Sequence, residues 1–462
     1  MSPDAGRERP AASHRPTPPA EERSYLLFLG TALVLTLGAG LVLGFLVPLA
    51  PGLGWRLDEA ALVQAHGWVQ LQGWLGLVVA GMALRLVPRL AHRPPLPTAL
   101  TLSLFGLMCA GTLLRLAGGV GHVGRHPLPV LSAAALEAAG LAGVAAALAW
   151  TLVRSRGQRE GWREAAWAAT GWWAAWAALT AWGGTRAAAG GGLVPPDLDR
   201  VSTWVVLLGA VGNAIWAVQS RSVPVFYGRR PPERLAVALG LYNLGTVLVL
   251  TSAVLPGSAL RQPGLGLAGA GVLWLAPLTG AVRGRPHRLR PPSRPAARFV
   301  VTANRWALVA GGCLIAGAIT GLWDREIAAR LDDAALHGLG LGLATTLIVG
   351  MARLVAPVFA VARAVPGGRP VTLGAVWLAL LIGTGSRLVA AFLEGTSPAW
   401  YQGLLGLADL LTWVGLALFA LGFARAWLRQ GSRREALVRS ASRTYAPSEP
   451  YDDFHGDQQE NK

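Results

Sequence analysis

Residues 58–90 read DEAALVQAHGWVQLQGWLGLVVAGMALRLVPRL, and residues 332–359 read DDAALHGLGLGLATTLIVGMARLVAPVF. Each begins on two acids, the residue type that satisfies free N–H groups and the positive dipole end at a helix start. Each then carries one histidine in its first turns and closes on an arginine and a proline: Arg85 with Pro88, Arg353 with Pro357. Both are apolar and longer than the ~20 residues needed to cross a bilayer. A third stretch starts alike on Leu198-Asp199-Arg200 and ends alike on Arg221 and Pro224. The three arginines are 136 and 132 residues apart, which predicts a unit repeated three times.

The rest of the chain fits that unit. Apolar spans fall at 24–50, 60–87, 98–118, 130–153, 163–183, 201–223, 233–256, 264–282, 299–322, 333–359, 371–393 and 400–428. The expectation is an all-α polytopic membrane protein of twelve transmembrane helices in three pseudo-repeated four-helix units, with the second, sixth and tenth innermost. Six-helix halves, the pattern of many transporters, are not what the repeat predicts. Residues 1–23 read as a disordered arm, 24–428 as the membrane domain and 429–462 as a polar tail.

Composition agrees. Of 462 residues, 53% are hydrophobic and 14% charged, which excludes an ordinary soluble domain. The two cysteines, Cys109 and Cys313, lie inside apolar spans, so neither a disulfide framework nor a zinc site is indicated. A net charge of +17 raises nucleic acid as a partner. The arginines answer it by clustering in alternate loops: Arg89/Arg93, Arg154/Arg156/Arg159, Arg229/Arg230, Arg283–Arg294 and Arg363/Arg369. The intervening loops carry Asp58/Glu59, Asp197/Asp199, Asp324/Glu326 and Glu394. The positive-inside rule then places both termini in the cytoplasm of a bacterial-type inner membrane, with the bilayer and no nucleic acid as partner.

An ionisable group within the hydrocarbon costs about 2.5–3.5 kcal/mol and asks for a reason. Units one and three share three: His66 and His337, Arg115 and Arg387, Glu137 and Asp409, separated by 271, 272 and 272 residues. The two histidines lie at similar depth, on the order of 6–9 Å below the outer surface at 1.5 Å per residue. Neutral imidazole is a strong axial ligand for haem iron, so the pair is a candidate clamp for one low-spin haem b. Gly67 and Gly73, with Gly338, Gly340 and Gly342, would let a flat macrocycle approach. Arg115 and Arg387 are placed to meet its propionates, with Glu137 and Asp409 to hold the arginines. Gln70, one turn after His66, is the expected support for its ring, and Gln64 and Gln72 compete for that role. The arginine–acid pairs can equally be structural. His122 and His126 form an H-x-x-x-H in an outer loop that reads as solvated rather than metal-binding. The tryptophans, Trp172-Trp173 among them, read as interfacial or lipid-facing.

Ala65-His66-Gly67 followed by Val87-Pro88, together with His337 and Pro357, resembles subunit I of the haem-copper oxidases. That resemblance spans about residues 24–428 and implies twelve helices in a pseudo-threefold arrangement, with low-spin haem ligands on helices 2 and 10. The pattern is also similar to NnrS-type membrane haem proteins, a group linked to nitric oxide metabolism, although their His-Glu motif is missing. The oxidases' high-spin haem ligand position is Ala335 here. Their copper histidines are replaced by Asn213, Trp216 and Gln219 on helix 6 and Tyr242 and Asn243 on helix 7. Oxygen reduction therefore has no site. The expectation is a haem-b protein for electron transfer, with a possible redox partner protein, or for nitric oxide or haem handling. The alternatives are a transporter or channel, or a scaffold without cofactor.

Overall fold

The computed structural model describes residues 24–444 except 50–57, 121–125, 156–159, 231, 256–258, 280–281, 284–285, 287, 290, 356–369 and 395–396. The terminal arm, the last residues of the tail, His122 and Pro357 lie outside the described residues. In chain order the long helices are α1 Tyr25–Leu49, α2 Glu59–Leu90, α3 Thr98–Gly118, α4 Pro127–Arg154, α5 Gly161–Ala189 and α6 Pro196–Tyr227. They continue as α7 Leu235–Val254, α8 Arg261–Leu278, α9 Ser293–Thr320, α10 Arg325–Leu354, α11 Thr372–Leu393 and α12 Ala399–Arg425. No strand occurs among the described residues.

Ten of these helices are long and apolar enough to cross a membrane. The other two, α5 and α8, fall at the fifth and eighth expected spans. The middle of α5 is mostly alanine and tryptophan with little leucine, valine or isoleucine, and α8 opens on Arg261, Gln262 and Pro263, so both are long enough but less apolar than the rest. The helix that begins as α12 runs on to Thr444, well into the expected polar tail.

Burial ranks the helices. In α2, α6 and α10 the most apolar window is 72%, 83% and 72% buried, against 28–56% in the other seven spans. These three are the inner helices, and the remainder wrap them. The helices α3, α4 and α5 pack in succession, as do α7, α8 and α9, while α11 and α12 pack together and α12 closes onto α1. α2 starts on its cap Asp58 and α6 has Asp197 and Asp199 in its first turn, but α10 starts at Arg325 behind the cap Asp324, so Asp332 and Asp333 lie two turns inside it rather than at its start; all three finish at an arginine end.

Each inner helix widens into a π-helical segment at its middle: Val69–Gly76, Val205–Gly212 and Gly338–Thr345. The segments are eight residues each and begin 136 and 133 residues apart, within one residue of the arginine spacing. They touch one another at the centre of the bundle. There Trp74 Nε1 donates to Thr345 Oγ1 at 2.9 Å, tying α2 to α10.

The tryptophans divide: Trp150, Trp323, Trp400 and Trp413 are exposed, as the sequence reading expects, whereas others, Trp172-Trp173 among them, are buried against it. Trp172 is 8% exposed and Trp173 not at all, and Trp74, Trp176, Trp204 and Trp216 are fully buried. The inner helices put glycine and alanine at their centres, and large rings fill the room: a Cβ on Gly209 would sit 2.7 Å from the Trp172 ring. Trp172 donates to Asn243 Oδ1 at 2.6 Å and Trp74 to Thr345, whereas the buried indole N–H groups of Trp173 and Trp176 meet no acceptor among the described residues, so the apolar rings themselves carry that packing.

Candidate functional site

Two residues along a helix turn the side chain through about 200°. His66 and Trp68 therefore leave α2 on opposite flanks, and each organises a separate group of polar residues.

On the first flank His66 faces α1. Its Nδ1 is 2.7 Å from the Gly40 carbonyl, at the end of a π segment, Thr36–Gly40, in α1. Its ring packs on Gly44, where a Cβ would lie 2.6 Å from His66 Cε1 and 3.2 Å from Asp409 Oδ2. Absence of a side chain at Gly44 is what allows α1, α2 and α12 to meet. His337 and Arg387 lie within electrostatic range of His66, and Asp409 within range of both. Four of the sequence candidates, His66, His337, Arg387 and Asp409, are thus brought to one place between α1, α2, α10, α11 and α12.

His337 is anchored from its own helix. Its Nδ1 lies 2.9 Å from the Asp333 carbonyl and 3.3 Å from the Asp333 carboxylate. That carboxylate also takes both arms of Arg387, at 2.8 and 3.1 Å. Arg387 accordingly pairs with Asp333, leaving Asp409 toward His66. Asp333 is the residue that the sequence reading overlooked, taking it only as a helix-start acid. The i,i+4 spacing from Asp333 to His337 places the two side chains on one face and is the signal that would have found it.

Both histidines therefore have Nδ1 beside a backbone carbonyl, an arrangement that fixes the proton on Nδ1 and turns the Nε2 lone pair outward. No hydrogen bond occupies either Nε2 among the described residues. A histidine that holds a metal is nearly always arranged so.

Of the three glutamines, none bonds His66. Gln70 accepts from Thr36 Oγ1 at 2.9 Å and packs on Gly40, so it grips the same α1 segment that His66 does. Gln64 clasps the Val194 backbone, donating to its carbonyl at 2.6 Å and accepting from its N–H at 3.2 Å. Gln72 is fully buried, with no hydrogen-bond partner for its amide among the described residues. Among the glycines, a Cβ on Gly67 would meet nothing within 4 Å, and one on Gly340 would meet only Leu207 at 3.8 Å. Gly338 and Gly342 instead lie against Ala310 and Trp306 of α9, and Gly73 against Leu35 of α1, as close helix contacts.

On the second flank Trp68 Nε1 donates to Glu137 Oε1 at 2.7 Å, and Arg115 lies 4.0 Å over the Trp68 ring. Arg115 Nη1 is 3.7 Å from Glu137 Oε2, so the expected Arg115–Glu137 pair forms, away from the histidines. Beside it is a cavity of about 50 Å³, lined by Gln64, Trp68, Arg115, Val194 and Asp199 among others. His126, the residue that precedes α4, is exposed and bonds neither group among the described residues. Among known proteins, no family model matches this chain and no curated protein is significantly similar to it in sequence.

Proposed function

We propose that the chain is a membrane haem-b protein of oxidase-subunit-I-like architecture, without an oxygen-reducing centre. In this reading all twelve helices span the bacterial-type inner membrane as three four-helix units, and both termini are cytoplasmic. The observation that carries it is the shared anchoring of two histidines from different inner helices, each held through Nδ1 with Nε2 open. His66 and His337 would then hold the haem iron. Bound haem would supply reversible one-electron storage. The chain's residues orient the imidazoles through Gly40 and Asp333, set local charge through Arg387, Asp333 and Asp409, and exclude water with the apolar helices around them. Arg387 is the candidate for a propionate partner, whereas Arg115 is committed to Trp68 and Glu137. An electron-transfer partner protein, or nitric oxide or haem handling, is the physiological setting proposed.

Spectroscopy of the purified chain tests it. A low-spin b-type spectrum is expected, lost in both His66→Ala and His337→Ala, because one imidazole cannot keep the iron six-coordinate. A colourless protein would refute it. The second reading, a transporter or channel, draws on the polar cavity beside Arg115 and Asp199, and solute flux through reconstituted colourless protein would select it.

A further inference from the structure

The cavity on the Trp68 flank lies at the end of the bundle where α2, α4 and α6 start. Its walls are the first turns of α2 and α4, the last turns of α3, the chain between α5 and α6, and Asp199 of α6. Two charged side chains line it, Arg115 and Asp199, within electrostatic range of each other. No ion pair or hydrogen bond joins them among the described residues. Arg115 is held from behind: its guanidinium lies 4.0 Å over the Trp68 ring, and Nη1 is 3.7 Å from Glu137 Oε2, too long for a hydrogen bond. Its N–H groups thus have no hydrogen-bond acceptor among the described residues, and the Asp199 carboxylate has no donor. The wall between α5 and α6 is fixed by Gln64, which takes both the carbonyl and the N–H of Val194. With Glu137 behind Arg115 and Arg200 in range of Asp199, two acids and two arginines cancel. A bare anion drawn to Arg115 meets the field of Asp199, and a bare cation drawn to Asp199 meets that of Arg115. A molecule that carries both charges avoids either penalty.

We propose that this cavity binds a small zwitterion, an α-amino acid of about the size of glycine, with its carboxylate on Arg115 and its ammonium on Asp199. Guanidinium–carboxylate and ammonium–carboxylate bonds are charge-assisted, the strong class of hydrogen bond. The volume sets the size. One water takes roughly 10–15 Å³ of such space, so a cavity of about 50 Å³ holds about three to five non-hydrogen atoms. Ala61, Ala65 and Val130 line the remainder and offer a longer polar side chain no partner. Ala61, Gly118 and Leu193 are half-buried, so the cavity opens at the end of the bundle. The site shares no residue with the His66–His337 group and does not depend on a haem.

Equilibrium dialysis of radiolabelled glycine against the full chain in nanodiscs tests it. Saturable binding is expected, displaced by neither acetate nor methylamine at the same concentration, since each supplies one charge only. Asp199→Asn should weaken binding about tenfold or more, as loss of a charge-assisted bond does. Ala61→Leu, which fills the cavity and removes no charge, should weaken it as well. Asp197→Asn, an exposed acid of the same turn that does not line the cavity, should leave it unchanged. Tryptophan fluorescence of each variant reports folding, so that a lost fold is not read as lost binding. No saturable binding by the folded wild type would overturn the proposal and leave a cavity filled with water between Arg115 and Asp199. Binding that survives either weakening variant, or displacement by acetate or methylamine alone, would overturn it too. A colourless chain that binds glycine would refute the haem reading and leave this one intact.

Discussion

Replacing Asp333 by asparagine would take from the Arg387 guanidinium the carboxylate it is hydrogen-bonded to, leaving Asp409 as the one acid within electrostatic range among the described residues. The pair has two charge-assisted hydrogen bonds, at 2.8 and 3.1 Å, and the side chains are 17% and 32% exposed. Hydrogen bonds to charged groups contribute about 1.5–3 kcal/mol each, and asparagine keeps one acceptor, so one bond's worth is lost outright. An unpaired arginine within the membrane costs about 2.5–3.5 kcal/mol on the insertion scale, though partial exposure lets part of that be recovered by solvation. The expected destabilisation of Asp333→Asn is therefore about 2–4 kcal/mol. Removing both charges should cost far less, about 1 kcal/mol or under, because nothing is left buried and unpaired. A double-mutant cycle of Asp333→Asn with Arg387→Gln, read by tryptophan fluorescence during unfolding in detergent, measures the coupling. If haem is bound, potentials give a second readout: losing the carboxylate stabilises the reduced form and raises the potential, and losing the arginine lowers it. Additive effects in the cycle, or a single mutant as stable as wild type, would refute the pairing as the organiser of this site.

Gly44→Ala places a Cβ 2.6 Å from His66 Cε1 and should displace the imidazole from Gly40, weakening any haem spectrum. The same change at Gly30, which meets nothing within 4 Å, is the matched control and should leave the spectrum intact. Trp68→Phe strips the indole donor from Glu137 Oε1, and thermal unfolding should report a loss of about 1–3 kcal/mol. Gln70→Leu leaves the Thr36 hydroxyl without its acceptor on α2 and should cost about 1 kcal/mol while retaining any haem, since Gln70 does not touch His66.

Spacing made much of this legible. The acid starts and Arg…Pro ends singled out 58–90, 198–224 and 332–359, and those are the three most buried spans. The 271-residue interval picked out His66 and His337, which do come within range of each other. Arg115 and Glu137, on consecutive helices, were readable as a pair. What failed was anything needing the angular position of a side chain. Arg387 has two acids within electrostatic range, Asp333 and Asp409. Only the rotation of α10 decides that Asp333 takes both arms. The buried tryptophans, Trp172 and Trp173 among them, misled for a related reason: an indole suits the membrane interface and a glycine-lined helix centre equally well, and composition does not distinguish the two.

The π segments explain why rotation was hard to read and also connect the fold to the site. A helical wheel assumes one angle per residue, and an eight-residue widening such as Val69–Gly76 changes that angle partway along α2. Positions after it, Arg85 among them, no longer share a face with those predicted from His66. The wider turns also tilt carbonyls from the axis, where side chains from elsewhere can reach them. Tyr242 of α7 donates to the Leu208 carbonyl at 2.5 Å in α6, and within α10 the segment's own Thr345 donates to the Gly340 carbonyl at 2.9 Å. In α1 the corresponding donor is His66, whose Nδ1 meets the Gly40 carbonyl at the close of the Thr36–Gly40 segment. A histidine that serves a neighbouring helix in this way has its proton fixed on Nδ1 and its ring held against Gly44, so Nε2 can point only away from α1. The irregularity in α1 thus determines the orientation of the imidazole on α2, and it requires a donor with a second, opposed nitrogen only if that nitrogen has work of its own. An asparagine at position 66, whose Nδ2 stands where Nδ1 does, would satisfy Gly40 equally well as a donor. For that reason His66→Asn separates the two roles: it should preserve stability to within about 1 kcal/mol while removing any ligand held at Nε2, whereas equal loss of both would make His66 a structural cap alone.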